Sequence, residues 1–286
     1  MSELYNVSSA PHVRGKDSTD KIMLYVIIAL LPASFFGIYN FGFRALIMML
    51  VCIAFAVGSE WIFNLIVHKK NTVRDLSAVV TGLLLALNLP VGLPFWEAAL
   101  GSVFAIVIVK CLFGGLGQNF MNPALGARCF LLIAFAADMT NFSCDAYTGA
   151  TPLAMIRENN GFIPADLNVR DMLFGMTSGT IGETSVIAIL VGGIYLFIRK
   201  IITPIIPMVY IAVFSLFILL FGGQGFDLTY LAAHLCGGGL MLGAFFMATD
   251  YVTRPVTKKG QYLLWQNIIM ILQTSMKRKF LKFTRK

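Results

Sequence analysis

Long apolar runs separated by short polar turns are the dominant pattern along the chain. A helix needs about 20 mostly apolar residues to cross a bilayer, and eight runs approach or reach that length. They cover residues 22–39, 45–67, 73–89, 94–113, 120–137, 181–198, 201–221 and 228–249. The pattern predicts an all-α, polytopic integral membrane protein with about eight to ten transmembrane helices.

The composition agrees with this prediction and excludes several classes of protein. Of the 286 residues, 58% are hydrophobic and only 13% are charged, whereas a soluble domain averages about 25% charged residues. The net charge of +8 is explained by loops facing an anionic leaflet, because the basic residues flank the spans and are not interleaved with aromatic ones. We therefore expect membrane lipid, and no nucleic acid, as a partner. The five cysteines are scattered and never spaced as CxxC, so we expect no metal site.

Charge distribution predicts the orientation of the spans. If the N-terminus is cytoplasmic, every returning span ends near basic residues. These are His68, Lys69, Lys70 and Arg74, then Lys110, then Arg199 and Lys200, and finally Arg254, Lys258 and Lys259. The long segment 138–183 lies on the opposite side and carries six acidic residues against two arginines. This segment, with Thr151 in it, is therefore predicted to be extracytoplasmic.

Two similar segments indicate an internal duplication. "TGLLLALNLP", from Thr81, resembles "GGLMLGAFFMATDYVTRP", from Gly238, and the two lie in the third and eighth spans. Spans five positions apart cross in opposite directions, so the pattern predicts an inverted repeat with a pathway or cofactor site at its interface. Chance recurrence of glycine-leucine runs in membrane helices is the alternative explanation.

One polar stretch, "SCDAYTGATPLAMIR" from Ser143 to Arg157, lies between the apolar blocks. A catalytic threonine needs an activating base, and none of the three histidines is near in sequence. The lysine of a phosphate-binding GxxxxGK[ST] loop is also absent. From the residues alone, a Thr-Gly-Pro turn in an exposed loop is the simplest interpretation.

A family resemblance suggests a different role for this stretch. "DAYTGAT" resembles the Asp-x-x-Ser/Thr-Gly-Ala-Thr motif of the NqrB/RnfD family, which a flavin transferase modifies in Rnf and Na+-translocating NADH:quinone reductase complexes. The resemblance implies that Thr151 carries FMN through a phosphoester bond. Asp145, Thr148, Gly149 and Ala150 would complete the attachment motif.

Further blocks extend the resemblance to most of the chain. "RDLSAVVTGLLLALNLP" from Arg74, "GGLGQNFMNPALGAR" from Gly114 and "GAFFMATDYVTRPVTKKGQ" from Gly243 are similar to the RnfD branch and occur in its order. They imply a subunit, not catalytic alone, of an ion-translocating ferredoxin:NAD+ oxidoreductase in the bacterial cytoplasmic membrane. The implied partners are Rnf subunits of the A, B, C, E and G types. A noncovalent riboflavin is a further implied cofactor.

The resemblance also implies a five-plus-five helix repeat similar to urea transporters, and the chain departs from it after Gln261. We expect the second repeat to be incomplete. The expected divisions are a cytoplasmic segment 1–21, a first repeat of about five helices at 22–137, the extracytoplasmic loop 138–183, a second repeat of about three helices at 184–261, and a divergent basic tail 262–286.

Polar residues within the apolar runs are candidates for an ion pathway, since charge in the bilayer interior is expensive. Glu60 and Asp250 are such candidates, and the alternative for each is a carboxylate at the membrane interface. His234 is expected to be a hydrogen-bonded packing residue.

Three further residues have two interpretations each. Asn119 and Asn122 follow a glycine-rich turn, where they would bind flavin or an ion, or begin a helix. Arg128 would pair with the flavin phosphate, or with an internal acid.

Two rival functions remain open from the sequence. One is a transporter or channel-like subunit without a redox cofactor, which the inverted repeat favours. The other is a membrane scaffold, which the divergent C-terminal end favours.

Overall fold

The structure is a computed structural model that describes residues 18–68, 72–142, 150–159, 162–164 and 167–253. Helices are the regular secondary structure of these segments, and apolar residues dominate them. This confirms the predicted all-α class. Large apolar side chains, among them Phe35, Leu65 and Ile133, are exposed on the outer helix faces, as lipid contact requires.

Two long helices open the described chain. Helix α1 covers Thr19–Phe41 and α2 covers Phe43–Ile66, with Gly42 alone between them. Both are long and apolar enough to cross a membrane, in agreement with the first two predicted spans. Their only internal proline, Pro32, lies within α1 and does not end that helix.

The remaining elements are shorter. A 3₁₀ turn at Val73–Asp75 precedes α3 at Ser77–Leu87, and α4 at Phe95–Phe104 continues as a π-helix, Ala105–Cys111. Next come α5 (Pro123–Ala134), α6 (Ala136–Thr140), α7 (Pro152–Glu158), α8 (Val169–Phe174), α9 (Val186–Ile198) and α10 (Ile205–Phe221). The last are α11 (Leu228–Cys236), α12 (Leu240–Leu242) and a second π-helix, Gly243–Met247.

Several predicted spans are thus shorter or broken. Among the described residues, α1 and α2 meet the length and hydropathy of a span, and a third would be the pair Leu228–Cys236 and Leu240–Met247, bent by 68°. The third predicted span was expected to be helical over 73–89, but its α-helix covers only Ser77–Leu87. Leu76 is left-handed before it, and Pro90 after it disfavours helical backbone at the preceding residue.

The short helix α3 lies at the centre of the bundle. It packs against α1, α2 and α5, and all its side chains except that of Val79 are buried. Gly82 makes the close approach to α2 possible, because a Cβ there would lie 2.8 Å from the Cys52 carbonyl oxygen. Small residues at such crossings are typical of membrane helices.

The C-terminal end of α3 is completed by a turn that comes from far along the chain. The amide of Gly182 donates to the Leu87 carbonyl at 2.8 Å, and the amide of Ile181 donates to the Leu89 carbonyl at 3.1 Å. Backbone groups freed inside a membrane protein need such partners. Helix α3 is short, the α11–α12 pair is bent, and the inverted repeat stays a prediction.

Candidate functional site

Thr151 occupies the position directly before helix α7. Its backbone is extended, its side chain is half-buried, and its Oγ1 accepts a hydrogen bond from the Ala154 amide at 3.4 Å. Pro152 follows at the first helical position, where its fixed φ suits the helix. The preceding carbonyl, of Ala150, accepts from the Ser178 hydroxyl at 2.8 Å. Thr151 is therefore held at a fixed place by the backbone on both sides.

The attachment motif is only partly within the described chain. Ala150 and Thr151 belong to it, whereas Asp145, Thr148 and Gly149 lie outside the described residues. The geometry of Thr151 fits the interpretation as a turn residue, and the residue also lines a cavity.

That cavity has a volume of about 260 Å³. Arg128, Glu183, Thr184 and the glycines 237–239 line it together with Thr151. The structure thus brings Thr151 and Arg128, which are 23 positions apart in sequence, to one space. Thr184 lines the cavity, and its Oγ1 is buried without a hydrogen-bond partner among the described residues.

Arg128 of α5 is the centre of a polar network. Its Nη1 donates to Glu183 Oε1 at 3.0 Å and to Asn88 Oδ1 at 2.9 Å. Asn88 is oriented in turn by donating to the Leu84 carbonyl at 2.7 Å. The arginine side chain is 33% exposed and the glutamate 7%. Of the two sequence interpretations, the internal ion pair is confirmed, and the arginine also faces the Thr151 cavity.

The break between α11 and α12 lies against this ion pair. A Cβ on Gly239 would lie 2.1 Å from Glu183 Oε1 and 3.4 Å from the Arg128 Nη1. No larger residue fits there without displacing the carboxylate. Sequence reasoning missed Glu183, which it counted only as a loop acid. The run of glycines 237–239 was the available signal that backbone approaches something closely.

A larger cavity of about 470 Å³ adjoins the first and shares Arg128 and the glycines 237–239 with it. Tyr210, Phe214 and His234 also line it. His234 is hydrogen-bonded as expected, since its Nδ1 lies 3.0 Å from the Tyr230 carbonyl oxygen.

Glu60 lies in a second, separate charged cluster. Lys110 Nζ contacts its Oε1 at 2.8 Å, and both side chains are almost completely buried. The Thr72 hydroxyl donates to the same oxygen at 2.7 Å, and Lys110 also donates to the Ser77 hydroxyl at 2.7 Å. The sequence places Lys110 near the end of the fourth predicted span, and the structure adds that its side chain is buried there in an ion pair. The π-helical turn at the end of α4 directs it inward to the acid on α2.

The mouth of this cluster is acidic. Asp75 lies in the turn between α2 and α3, where burial raises the pKa of its carboxyl above the ordinary value and the nearby carboxylates of Asp20 and Glu60 raise it further. Asp75 and Glu60 line one cavity of about 420 Å³. A space with this lining favours a cation over an anion.

The asparagines and Asp250 meet in a third place. Asn119, Asn122 and Asp250 line a cavity of about 100 Å³ together with Lys110, and this cavity shares no residue with that of Thr151. Asn122 caps α5 by accepting from the Ala124 amide at 3.0 Å, so the helix-start interpretation is confirmed for it. Asn119 donates to the Met121 carbonyl at 2.9 Å.

Asp250 follows the second π-helix. Its Oδ1 accepts from the Val252 amide at 3.4 Å and its Oδ2 from the Thr253 hydroxyl at 3.4 Å. It is half-buried at the cavity edge, a position that suits both interpretations of this carboxylate, the cation route and the membrane interface.

Comparison with known proteins identifies the family of the chain. A sequence profile described as the NQR2, RnfD, RnfE family matches residues 6–270. The D-type subunit of the Na(+)-translocating ferredoxin:NAD(+) oxidoreductase complex of Acetobacterium woodii is 48% identical over 269 residues, which is 92% of this chain and 82% of that protein.

Two further relatives show the same extent of similarity. The D-type subunit of the proton-translocating ferredoxin:NAD(+) oxidoreductase complex of Clostridium ljungdahlii is 40% identical, and the match covers 91% of this chain and 82% of that protein. The D-type subunit of the ion-translocating oxidoreductase complex of Rhodobacter capsulatus is 33% identical, with 89% and 81% covered.

Proposed function

Because the chain belongs to the NQR2, RnfD, RnfE family, we propose that it is the D-type membrane subunit of an Rnf complex. The resemblance found in the sequence is confirmed at the level of the family. In this proposal the complex couples electron transfer between ferredoxin and NAD+ to the movement of Na+ or H+. The subunit is not catalytic alone, and it works with Rnf subunits of the A, B, C, E and G types.

The finer proposal is that Thr151 carries FMN through a phosphoester at Oγ1. Two observations support the fit: Thr151 and Arg128 line the same cavity, and Thr184, which also lines it, has a hydroxyl without a partner among the described residues. A guanidinium is well suited to phosphate, with which it forms paired hydrogen bonds. When bound, FMN would supply one- and two-electron transfer that side chains lack.

Within this site the protein residues have distinct tasks. Arg128 would hold positive charge close to the phosphate or the flavin ring, and Glu183 would fix the direction of the guanidinium. The glycines 237–239 would admit a flat ring against backbone, since side chains are absent there. Asp145, Thr148, Gly149 and Ala150 would be the residues that the flavin transferase recognises.

A noncovalent riboflavin is the second proposed cofactor. The 470 Å³ cavity is the candidate place, because both aromatic residues and the polar Arg128 and Asn88 line it. Asn119 and Asn122 are less suited to either flavin, as they line a smaller cavity and Asn122 is used as a helix cap.

We also propose that Thr151 faces the outside of the bacterial cytoplasmic membrane and that the N-terminus is cytoplasmic. The excess of acid over base in residues 138–183 supports this orientation. A thiol reagent that cannot cross membranes should label Cys144 in intact cells. Cys52, which is buried, is the internal negative control. Labelling of Cys144 only after lysis would contradict the orientation.

The ion pathway is proposed to use Glu60 and Asp250. Glu60 lines an acidic cavity at one side of the bundle, and Asp250 lines the small cavity that also contains Lys110. Carboxylates inside a membrane protein commonly belong to ion routes.

The attachment of flavin can be tested directly. The chain is co-expressed with a flavin transferase, separated by denaturing electrophoresis and imaged under ultraviolet light. The wild-type band is expected to fluoresce, and Thr151→Val is expected to abolish the signal while membrane insertion persists. Thr177→Val is the matched control, because Thr177 lines the same cavity.

Two results would decide against the proposal. Fluorescence that survives in Thr151→Val would mean that another residue carries the flavin. A wild-type band that never fluoresces would favour the transporter or channel-like subunit without a redox cofactor.

A further inference from the structure

The Lys110–Glu60 pair is a charged group sealed inside the bundle. The side chains are 3% and 2% exposed, and the Nζ to Oε1 distance is 2.8 Å. Burying two charges costs more than their attraction usually returns, so such a pair contributes little to stability by itself. Its presence is better explained by a function in binding or moving a cation.

The two oxygens of Glu60 are used unequally. Oε1 accepts from both Lys110 and Thr72, whereas Oε2 is buried and accepts no hydrogen bond from the described residues. A buried carboxylate oxygen without a partner is costly and is rare in native proteins. Glu60 is therefore only half satisfied by the groups around it.

The 420 Å³ cavity beside Glu60 is lined by further polar residues. Glu60 lines it together with Asn64, Thr72, Asp75 and Thr19, so carboxylate, amide and hydroxyl oxygens are gathered in one place. Oxygen ligands of this kind suit hard cations. The cavity has the lining of a cation site, beside a carboxylate oxygen that accepts no hydrogen bond from the described residues.

Lys110 has a second polar environment within reach of its ammonium. Its ammonium also donates to Ser77, and the residue lines the 100 Å³ cavity on the other side, together with Asp250 and Asn122. It stands on a π-helical segment, a local distortion often found at functional positions. Lys110 is thus located between two cavities, with a carboxylate lining each.

We propose that the Lys110 ammonium is a resident cation that occupies the Glu60 site until a hard monovalent cation, such as Na+, displaces it. The entering cation binds Glu60 from the 420 Å³ cavity, and Lys110 turns toward Ser77 and the 100 Å³ cavity. No covalent bond changes in this exchange. The inference rests on the proposed ion pathway through Glu60 and adds the residue that competes with the transported ion.

The exchange is tested by equilibrium binding of ²²Na+ to the purified complex containing the full chain, at fixed pH and with choline chloride to hold the ionic strength. Lys110→Met removes the competing charge at similar length. We expect its Na+ affinity to rise roughly tenfold or more, since one neighbouring charge commonly shifts a binding equilibrium by one to three powers of ten.

A second variant works in the opposite direction and retains the buried charge. Lys110→Arg presents a fork that can hold both oxygens of Glu60, so we expect Na+ to bind more weakly than in the wild type. This variant keeps the proposal testable if Lys110→Met fails to fold. Lys200→Met is the matched control, because Lys200 is exposed, and it should bind Na+ as the wild type does.

The outcomes separate this inference from the proposed function. The order Lys110→Met, wild type, Lys110→Arg in decreasing affinity supports it, provided that Glu60→Gln abolishes binding. Equal affinity in folded Lys110→Met and wild type overturns the resident-cation role while the pathway through Glu60 stands. Binding that is unchanged in Glu60→Gln overturns the pathway itself, and the inference with it.

Discussion

The two ion pairs within the described part of the chain differ in how much water reaches them. Lys110–Glu60 is sealed, with both side chains at most 3% exposed, whereas Arg128 in the Arg128–Glu183 pair is 33% exposed at a cavity edge. The sealed pair leaves one carboxylate oxygen without a partner among the described residues, and the open pair lies against a glycine break beside Thr151. The first arrangement suits a small ion that arrives without its water, and the second suits a large anionic group.

The largest effect is expected from breaking the sealed pair. Glu60→Leu leaves the Lys110 ammonium buried without its carboxylate, and we expect a loss of about 3–5 kcal/mol in the free energy of unfolding. Titration with a denaturing detergent in mixed micelles measures it. The double variant Glu60→Leu with Lys110→Met should recover most of the loss. Equal instability of single and double variants would show that packing, not charge, is responsible.

The next effect tests the glycine beside the open pair. In Gly239→Ala the new Cβ would meet Glu183 Oε1 at 2.1 Å, so the carboxylate must move away from Arg128. We expect a loss of about 1–3 kcal/mol in unfolding free energy, the usual cost of overpacking. Gly243→Ala is the control, since a Cβ there meets nothing within 4 Å. A similar loss in both variants would indicate a general helix effect.

A smaller effect is expected from the open pair itself. Glu183→Gln should cost about 1 kcal/mol, because solvent at the exposed part of Arg128 screens the lost charge. The same detergent titration measures it, repeated at low and high salt. The wild type should lose part of its stability at high salt and the variant should not. A cost as large as that of Glu60→Leu would remove the contrast between the two regions.

The smallest effect concerns Thr151. Thr151→Val removes the acceptor that caps α7, a long hydrogen bond of 3.4 Å, and should cost about 0.5–1 kcal/mol. Thr151→Ser keeps the cap and should be neutral. Amide hydrogen exchange at Ala154 reports the cap directly. Faster exchange in the serine variant would contradict the role of the hydroxyl as acceptor.

Local pattern was sufficient for some parts of the fold. Helices α1 and α2 were predicted because their apolar runs are continuous. The short α3 was not, because its length depends on the left-handed Leu76 and on amides of Ile181 and Gly182, which are nearly a hundred positions away. Short half-helices need such distant partners, and a window of neighbouring residues does not contain them.

The candidate site also divides into residues that local sequence indicated and residues whose partners are distant in sequence. Thr151 was proposed from its motif, and the ion pair of Arg128 was one of the two interpretations that the sequence offered. The pairing of Lys110 with Glu60 was not predicted, because the two residues are 50 positions apart and Lys110 stands on a π-helix. Glu183 was overlooked since a count of loop charges treats every acid alike, whatever it faces.

Helix α3 determines the distance and the relative rotation between the two ion pairs, because it contacts one at each end. Ser77, its first residue, accepts a hydrogen bond from Lys110, and Asn88, directly after its end, accepts one from Arg128. The helix covers about 16 Å and turns about 100° for each residue. One inserted residue would therefore rotate Asn88 away from Arg128 whenever Ser77 stays on Lys110, so the number of residues in this short helix is as constrained as their identity.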